Sequence, residues 1–207
     1  MPPSTRLSTT PTDLLRWWHQ HQTQWLNHEA EAIRNGPLQD LLALRRQLEL
    51  EAGDRQTCLG DMEQLYTTLE SLGNRLSSPY GQDSLPMAIR HTLQPWQDQL
   101  PLQLDLPNPW PPEGAVEIAL VISMLSYLAA TIAACPTPPG HWGVSLYPRP
   151  QKQLTIQLSY PTPLPAQLLQ VCQGQDWSYH LQTFELLTQG YIHHHRQPHQ
   201  LTWRLTW

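Results

Sequence analysis

The chain has 207 residues and a formal net charge of −5, with 40% apolar but only 14% charged residues. That length holds one ordinary domain or two small ones, and a single lysine, Lys152, with no basic stripe argues against a nucleic-acid partner. Cys58, Cys135 and Cys172 are far apart and odd in number, which argues against a disulfide framework or zinc knuckle and for a reduced, cytoplasmic setting.

The opening Met1-Pro2-Pro3-Ser4-Thr5 lacks the charged-then-apolar pattern of a secretory leader. From a cap at Pro11-Thr12-Asp13 the pattern reads as one long helix to Glu51, ending at Gly53-Asp54. Its apolar positions Leu14, Trp18 and Trp25, and then Leu41, Leu44 and Leu48, recur within each group at spacings of three, four or seven and mark a seam for a partner helix. Gly36-Pro37 interrupts it, because proline removes a helical amide and crowds the preceding turn, so a kink is expected there. Met62, Leu65, Tyr66, Leu69, Leu72 and Leu76 continue the spacing in a second helix. A two-helix hairpin cannot hide both stripes, and a second copy completing a four-helix bundle is the economical solution. We therefore expect a homodimer whose interface includes Leu14, Trp18, Trp25, Leu41, Leu44, Leu48, Leu65, Leu69 and Leu72.

Ser77-Ser78-Pro79-Tyr80-Gly81 breaks the pattern and divides a helical domain, residues 1–78, from a second domain, residues 79–207. In the second, Ser84–Gln99 reads as a helix, Leu102–Leu106 as a strand and Glu113–Ala134 as an apolar helix. The uncharged stretch Ile118–Cys135 reaches the lower limit of a membrane span. It contains Ser123, Ser126, Tyr127 and Thr131 and is preceded by Glu113 and Glu117, so a buried helix without membrane insertion is expected. Val144 and Leu146 alternate in one strand and Leu154, Ile156 and Leu158 in the next, giving a hairpin with one buried face. Beyond Pro161–Pro165 come helical patterns at Ala166–Gln173 and Tyr179–Gln189, then strands at Tyr191–Arg196 and Gln200–Trp207. The expected class is α+β: a long helical hairpin, then a sheet covered on one face by helices.

The segment Ile33-Arg34-Asn35-Gly36-Pro37-Leu38-Gln39 resembles the phosphoacceptor helix of two-component histidine kinases, where the motif runs His-Asp-Gly-Pro-Leu-Gln. The element order is similar too: a dimerisation and phosphotransfer hairpin, then a GHKL-type ATPase-like α/β sandwich. The resemblance implies that the phosphoacceptor falls on Arg34 and its neighbouring acid on Asn35. A guanidinium has no free lone pair with which to attack phosphorus. It implies that the magnesium box falls on Ser123 and Tyr127, neither of which replaces a carboxylate and an amide at a hard-oxygen site. The adenine-reading Asp-x-Gly-x-Gly falls on Tyr160, Thr162 and Leu164, interrupted by Pro161, Pro163 and Pro165. The glycine-rich lid has no counterpart, since Gln173–Tyr179 holds only Gly174.

Taken together, these losses lead us to expect a non-catalytic, cofactor-free relative of the kinases. It would act through homodimerisation and contact with a response regulator or another signalling protein. The alternative is a phosphotransferase or weak kinase using His28, six residues before Arg34 on a different helix face. His193-His194-His195 is read as a polar strand, because only His193 and His195 share a face and two imidazoles do not close a zinc site. His19 and His21 are read as bundle-surface residues, and Trp17, Trp18 and Trp25 as packing residues. No P-loop and no Gly-x-Ser-x-Gly is present.

Overall fold

The computed structural model describes residues 10–49, 55–76, 84–148 and 150–207. The Gly53-Asp54 turn and the Ser77–Gly81 break lie outside the described residues. The chain divides into two compact units, Arg16–Pro79 and Met1–Leu15 with Tyr80–Trp207.

The helical unit is built from α1 (Pro11–Asn35) from Arg16 onward, α2 (Pro37–Glu49) and α3 (Arg55–Leu76). The cap of α1 is Thr10, one residue before the expected group. Its hydroxyl accepts from the Asp13 amide at 3.2 Å, while the Asp13 carboxylate accepts from the Thr10 amide at 3.2 Å. At Gly36-Pro37, where a kink is expected, the helix is interrupted at the single residue Gly36, which separates α1 from α2. Pro37 opens α2, where its missing amide costs nothing, and the Gly36 carbonyl accepts from the amides of Gln39 and Asp40 at 2.9 and 3.1 Å.

α3 packs against α2. The stripe read from sequence on α3 separates into two adjacent rows, each with alternating steps of three and four. Residues 58, 61, 65 and 68 are buried or half-buried, whereas Leu59, Met62, Tyr66 and Leu69 are exposed. On α2, Pro37 and Leu44 are buried, but Leu38, Leu41, Leu42 and Leu48 are exposed.

The second unit begins with α4 (Leu85–Leu93), which runs into a 3₁₀ turn at Gln94–Trp96. Then come β1 (Leu102–Asp105), α5 (Ala115–Ala133), β2 (His141–Tyr147), β3 (Gln153–Ser159), α6 (Ala166–Cys172), α7 (Gln175–Thr188), β4 (Tyr191–Gln197) and β5 (Gln200–Thr206). The five-stranded sheet has the order β1-β2-β3-β5-β4, with β1 and β2 parallel across the α5 crossover and the other pairs antiparallel. Alternation puts Val144, Ile156 and Trp203, which are register partners, on the buried face. The row beside them, Ser145, Thr155 and Arg204, lies on the opposite, polar face.

α5 is the one described helix long and apolar enough to cross a membrane. Here it is the central core helix of its unit: Ile118, Leu120, Val121, Met124, Leu125, Leu128, Ala129 and Ile132 are all buried. α7 ends with Gln189 in the left-handed conformation, φ 55°. The next residue, Gly190, lies so close to the Thr206 carbonyl that any Cβ there would collide with it, which lets β4 turn in beside β5.

The loop before α5 is tied to the end of the sheet through Glu113. Its carboxylate accepts from the indole N–H of Trp110 at 2.9 Å and of Trp207 at 3.3 Å, and meets the Nζ of Lys152 at 3.0 Å. The Lys152 ammonium also donates to the Pro112 carbonyl at 3.2 Å. The chain's only lysine is thus spent on an almost fully covered carboxylate.

Candidate functional site

Two of the residues singled out in the sequence lie on α5. Ser123 and Tyr127 are one turn apart on α5, and both face α7. The His180 ring of α7 is fully buried, with Nδ1 2.9 Å from the Asp176 carbonyl and Nε2 3.1 Å from the Ser123 hydroxyl. A carbonyl only accepts, so Nδ1 carries the proton in the neutral ring and Nε2 accepts from Ser123. Tyr127 stacks on Trp177 with centroids 6.1 Å apart and planes 10° apart, and its ring lies 5.1 Å from that of His180. Trp177 in turn packs edge-to-face with Trp203 on β5, centroids 5.3 Å apart. A helix–sheet stack of an imidazole, a phenol and two indoles therefore occupies the surroundings of the two magnesium-box positions. Burial, followed by Asp176 and then Cys172, raises the Tyr127 phenol above its ordinary value. Among the described residues no group of three or more His, Cys, Asp or Glu is arranged to hold a metal ion.

The positions matching the adenine box do not converge on one pocket. Tyr160 is buried at the end of β3, Thr162 is exposed in the Pro161–Pro163 bend, and Leu164 is buried again. The backbone here is held by β4–β5 hairpin carbonyls, Tyr160 N–H donating to His199 at 2.8 Å and Leu164 N–H to Pro198 at 3.0 Å. Burial, then Cys135 and Cys172, raises the Tyr160 phenol well above its usual range. Burial, then Cys135, pushes the Cys172 thiol up to about 12.

Where a lid would lie, α6 and α7 are separated only by Gln173 and Gly174. The helix expected from Tyr179 starts four residues earlier, at Gln175, with Gly174 as its N-cap and Asp176 in its first turn. That early start puts Trp177 on helix and against Tyr127. The polar run Gln175-Asp176-Trp177-Ser178 reads as loop in sequence, and its indole is the functional-site residue that periodicity missed.

In the helical unit, Arg34 and Asn35 form the exposed last turn of α1, and His28 is exposed further back on the same helix. Of the expected interface residues, Leu41, Leu48, Leu69 and Trp25 are exposed, Trp18 and Leu65 half-buried, and Leu14 and Leu44 buried. The Leu72 side chain lies outside the described residues. His193 and His195 sit on the polar sheet face opposite Arg204 and Thr202, and His194 on the other face, as strand alternation requires.

No family model matches this sequence, and no curated protein matches it either. Among solved structures the chain is similar to the histidine kinase AdeS of Acinetobacter baumannii, at 13% identity and TM-score 0.44, over 83% of this chain and 94% of that one. It is also similar to a bacterial phosphotransferase, at 14% identity and TM-score 0.45, over 98% of this chain and 100% of the other.

Proposed function

We propose that this chain is a non-catalytic, homodimeric regulator of the two-component signalling type, with a degenerate kinase-like ATPase domain. It acts in the cytoplasm by holding another signalling protein, such as a response regulator. The observation that carries the reading is the contact of Ser123 with His180 and of Tyr127 with Trp177. Neither Ser123 nor Tyr127 is a carboxylate or an amide, and the rings of His180 and Trp177 pack against the two positions that the kinase layout reserves for magnesium, with Asp176 the nearby carboxylate. Arg34 at the phosphoacceptor position supports it independently, since an always-protonated guanidinium is no nucleophile. The homodimer rests on the exposed apolar row of α3, where Met62, Tyr66 and Leu69 are 52%, 69% and 46% exposed in the single chain.

The test is incubation of the full chain with radiolabelled ATP and magnesium, alone and with phosphorylated response regulators from the same cell. The reading predicts that the chain stays unlabelled and yet captures at least one of those regulators at physiological concentration. Repeated failure to capture any signalling protein would count against it. The second reading, phosphotransfer through His28, is favoured by the exposure of that ring on α1. It predicts transfer of label from a phosphorylated regulator to this chain, abolished by His28→Ala.

A further inference from the structure

β4 is an edge of the sheet and pairs with β5 alone. At the two ends of β5, Trp207 N–H donates to the Lys152 carbonyl at 3.0 Å and Tyr160 N–H donates to the His199 carbonyl at 2.8 Å, so the odd-numbered residues of β5 bond towards β3. Its even-numbered residues therefore bond towards β4, where their register partners are Tyr191, His193, His195 and Gln197. Ile192, His194 and Arg196 are left with their N–H and C=O groups turned outward. Glu185 on α7 accepts from the Ile192 amide at 3.0 Å, whereas the amides of His194 and Arg196 have no partner among the described residues. Every residue from 193 to 199 is exposed, so the edge lies open. The tip of the hairpin is held in place by the bond from Tyr160 and by Leu164 N–H donating to the Pro198 carbonyl at 3.0 Å. An open edge on an anchored hairpin is a template for one more strand.

The chemistry of the hairpin selects what can pair with it. Residues 186 to 207 hold four histidines, two arginines and no aspartate or glutamate, in a chain whose net charge is −5. His193 and His195 lie on the polar face beside Arg204 and Thr202, and His194 and Arg196 on the other face. An added strand thus meets imidazole and guanidinium donors on either face. A second copy of β4 fits poorly, because it sets Arg196 and the imidazoles of one copy against those of the other. A strand carrying carboxylates finds a donor beside each of them and no acid against it. We propose that the outer edge of β4 binds an extended acidic segment of a partner protein by strand addition, with the amides of His194 and Arg196 as its backbone donors. The Glu185 carboxylate on the Ile192 amide is the fold's own instance of such an acceptor at this edge. No residue of the helical unit and neither magnesium-box position takes part, so this site stands independently of the proposed function.

The experiment titrates the full chain, by fluorescence anisotropy, with a labelled peptide of roughly seven residues that alternates glutamate and valine, and with the same peptide carrying lysine in place of glutamate. Backbone hydrogen exchange is followed residue by residue in the complex. The expected result is saturable binding of the acidic peptide, at least about tenfold tighter than the lysine peptide, with slowed exchange at the His194 and Arg196 amides. His194→Pro removes an amide that the β4–β5 ladder does not use, so it should abolish binding and leave circular dichroism unchanged, while His194→Ala retains most of the affinity. Arg196→Glu should reverse the preference between the two peptides. Absence of saturable binding, or equal binding of both peptides, overturns the proposal. Binding that leaves those two amides exchanging as before also overturns it, since the contact is then one of charge alone. So does binding to vesicles of anionic phospholipid without binding to the peptide, which would give the basic hairpin to a membrane surface.

Discussion

The Ser123 hydroxyl and the His180 imidazole, 57 positions apart in sequence, meet at 3.1 Å across the α5–α7 interface. Because the other ring nitrogen donates to the Asp176 carbonyl, His180 is a fully partnered core residue that joins two helices. Replacing it by alanine empties a buried site and removes its hydrogen bond with Ser123, and should cost about 2–4 kcal/mol. Ser123→Ala should cost about 1 kcal/mol. Urea denaturation of both variants checks the order of the two effects.

Building a magnesium box at Ser123 and Tyr127 should fail. Ser123→Glu with Tyr127→Asn supplies a carboxylate and an amide, but Trp177 and His180 remain where they are, and the new carboxylate loses water without gaining a cation. The double variant is expected to be less stable by about 2 kcal/mol or more and to bind no nucleotide. Recovery of magnesium-dependent ATP binding would mean that α7 yields readily.

Glu113 holds two indoles and the only lysine together. Glu113→Ala leaves two indole N–H groups and the partly exposed Lys152 ammonium without their acceptor, so a loss of about 2–3 kcal/mol is expected. Lys152→Met should cost less, because the indoles keep their carboxylate. Denaturant midpoints followed by tryptophan emission would report both, since Trp110 and Trp207 lie in the cluster.

Alkali should loosen the second unit. The Cys172 thiol is raised from an ordinary 9.0 to about 12 in the fold, chiefly by burial. The folded chain therefore holds a proton that the unfolded chain releases, and this stabilisation is complete below pH 9 and disappears as the pH rises to about 12. Tyr160 and Tyr127, also raised, act in the same direction. Denaturation midpoints should fall steadily above pH 9, and Cys172→Ala should flatten that fall. At pH 8.5 the thiol should alkylate far more slowly than a free cysteine.

The exposed row of α3 predicts a dimer that single charges dissolve. Tyr66→Glu or Leu69→Glu should raise the dissociation constant by roughly 30-fold or more, about 2 kcal/mol, without loss of helical signal. Leu65→Glu, on the inward row, should instead unfold the hairpin. Light scattering together with circular dichroism separates the two outcomes.

These consequences show which parts of the fold can be read from sequence. The stripes of α2 and α3, the apolar run of α5 and the alternation of β2 and β3 are local patterns, visible because a helix or strand repeats every few residues. Local spacing identifies apolar positions but not the neighbour each one meets. The α3 stripe thus reads as one seam, whereas Leu65 turns inward and Met62, Tyr66 and Leu69 turn outward. The pairs Ser123–His180 and Glu113–Lys152 join residues far apart in the chain, and no periodicity links them. At the candidate site, the side chains that Arg34, Ser123 and Tyr127 offer were legible from residue type alone. What fills the space, Trp177 and His180, was not, because the first turn of α7 is polar in sequence.

Calorimetric titration of the folded, purified chain with ATP and magnesium, repeated with a non-hydrolysable analogue, tests the central claim most directly. The account predicts no binding heat up to high micromolar nucleotide. Saturable, magnesium-dependent heat would contradict it, because a nucleotide would then have to displace Trp177 and His180 from Tyr127 and Ser123.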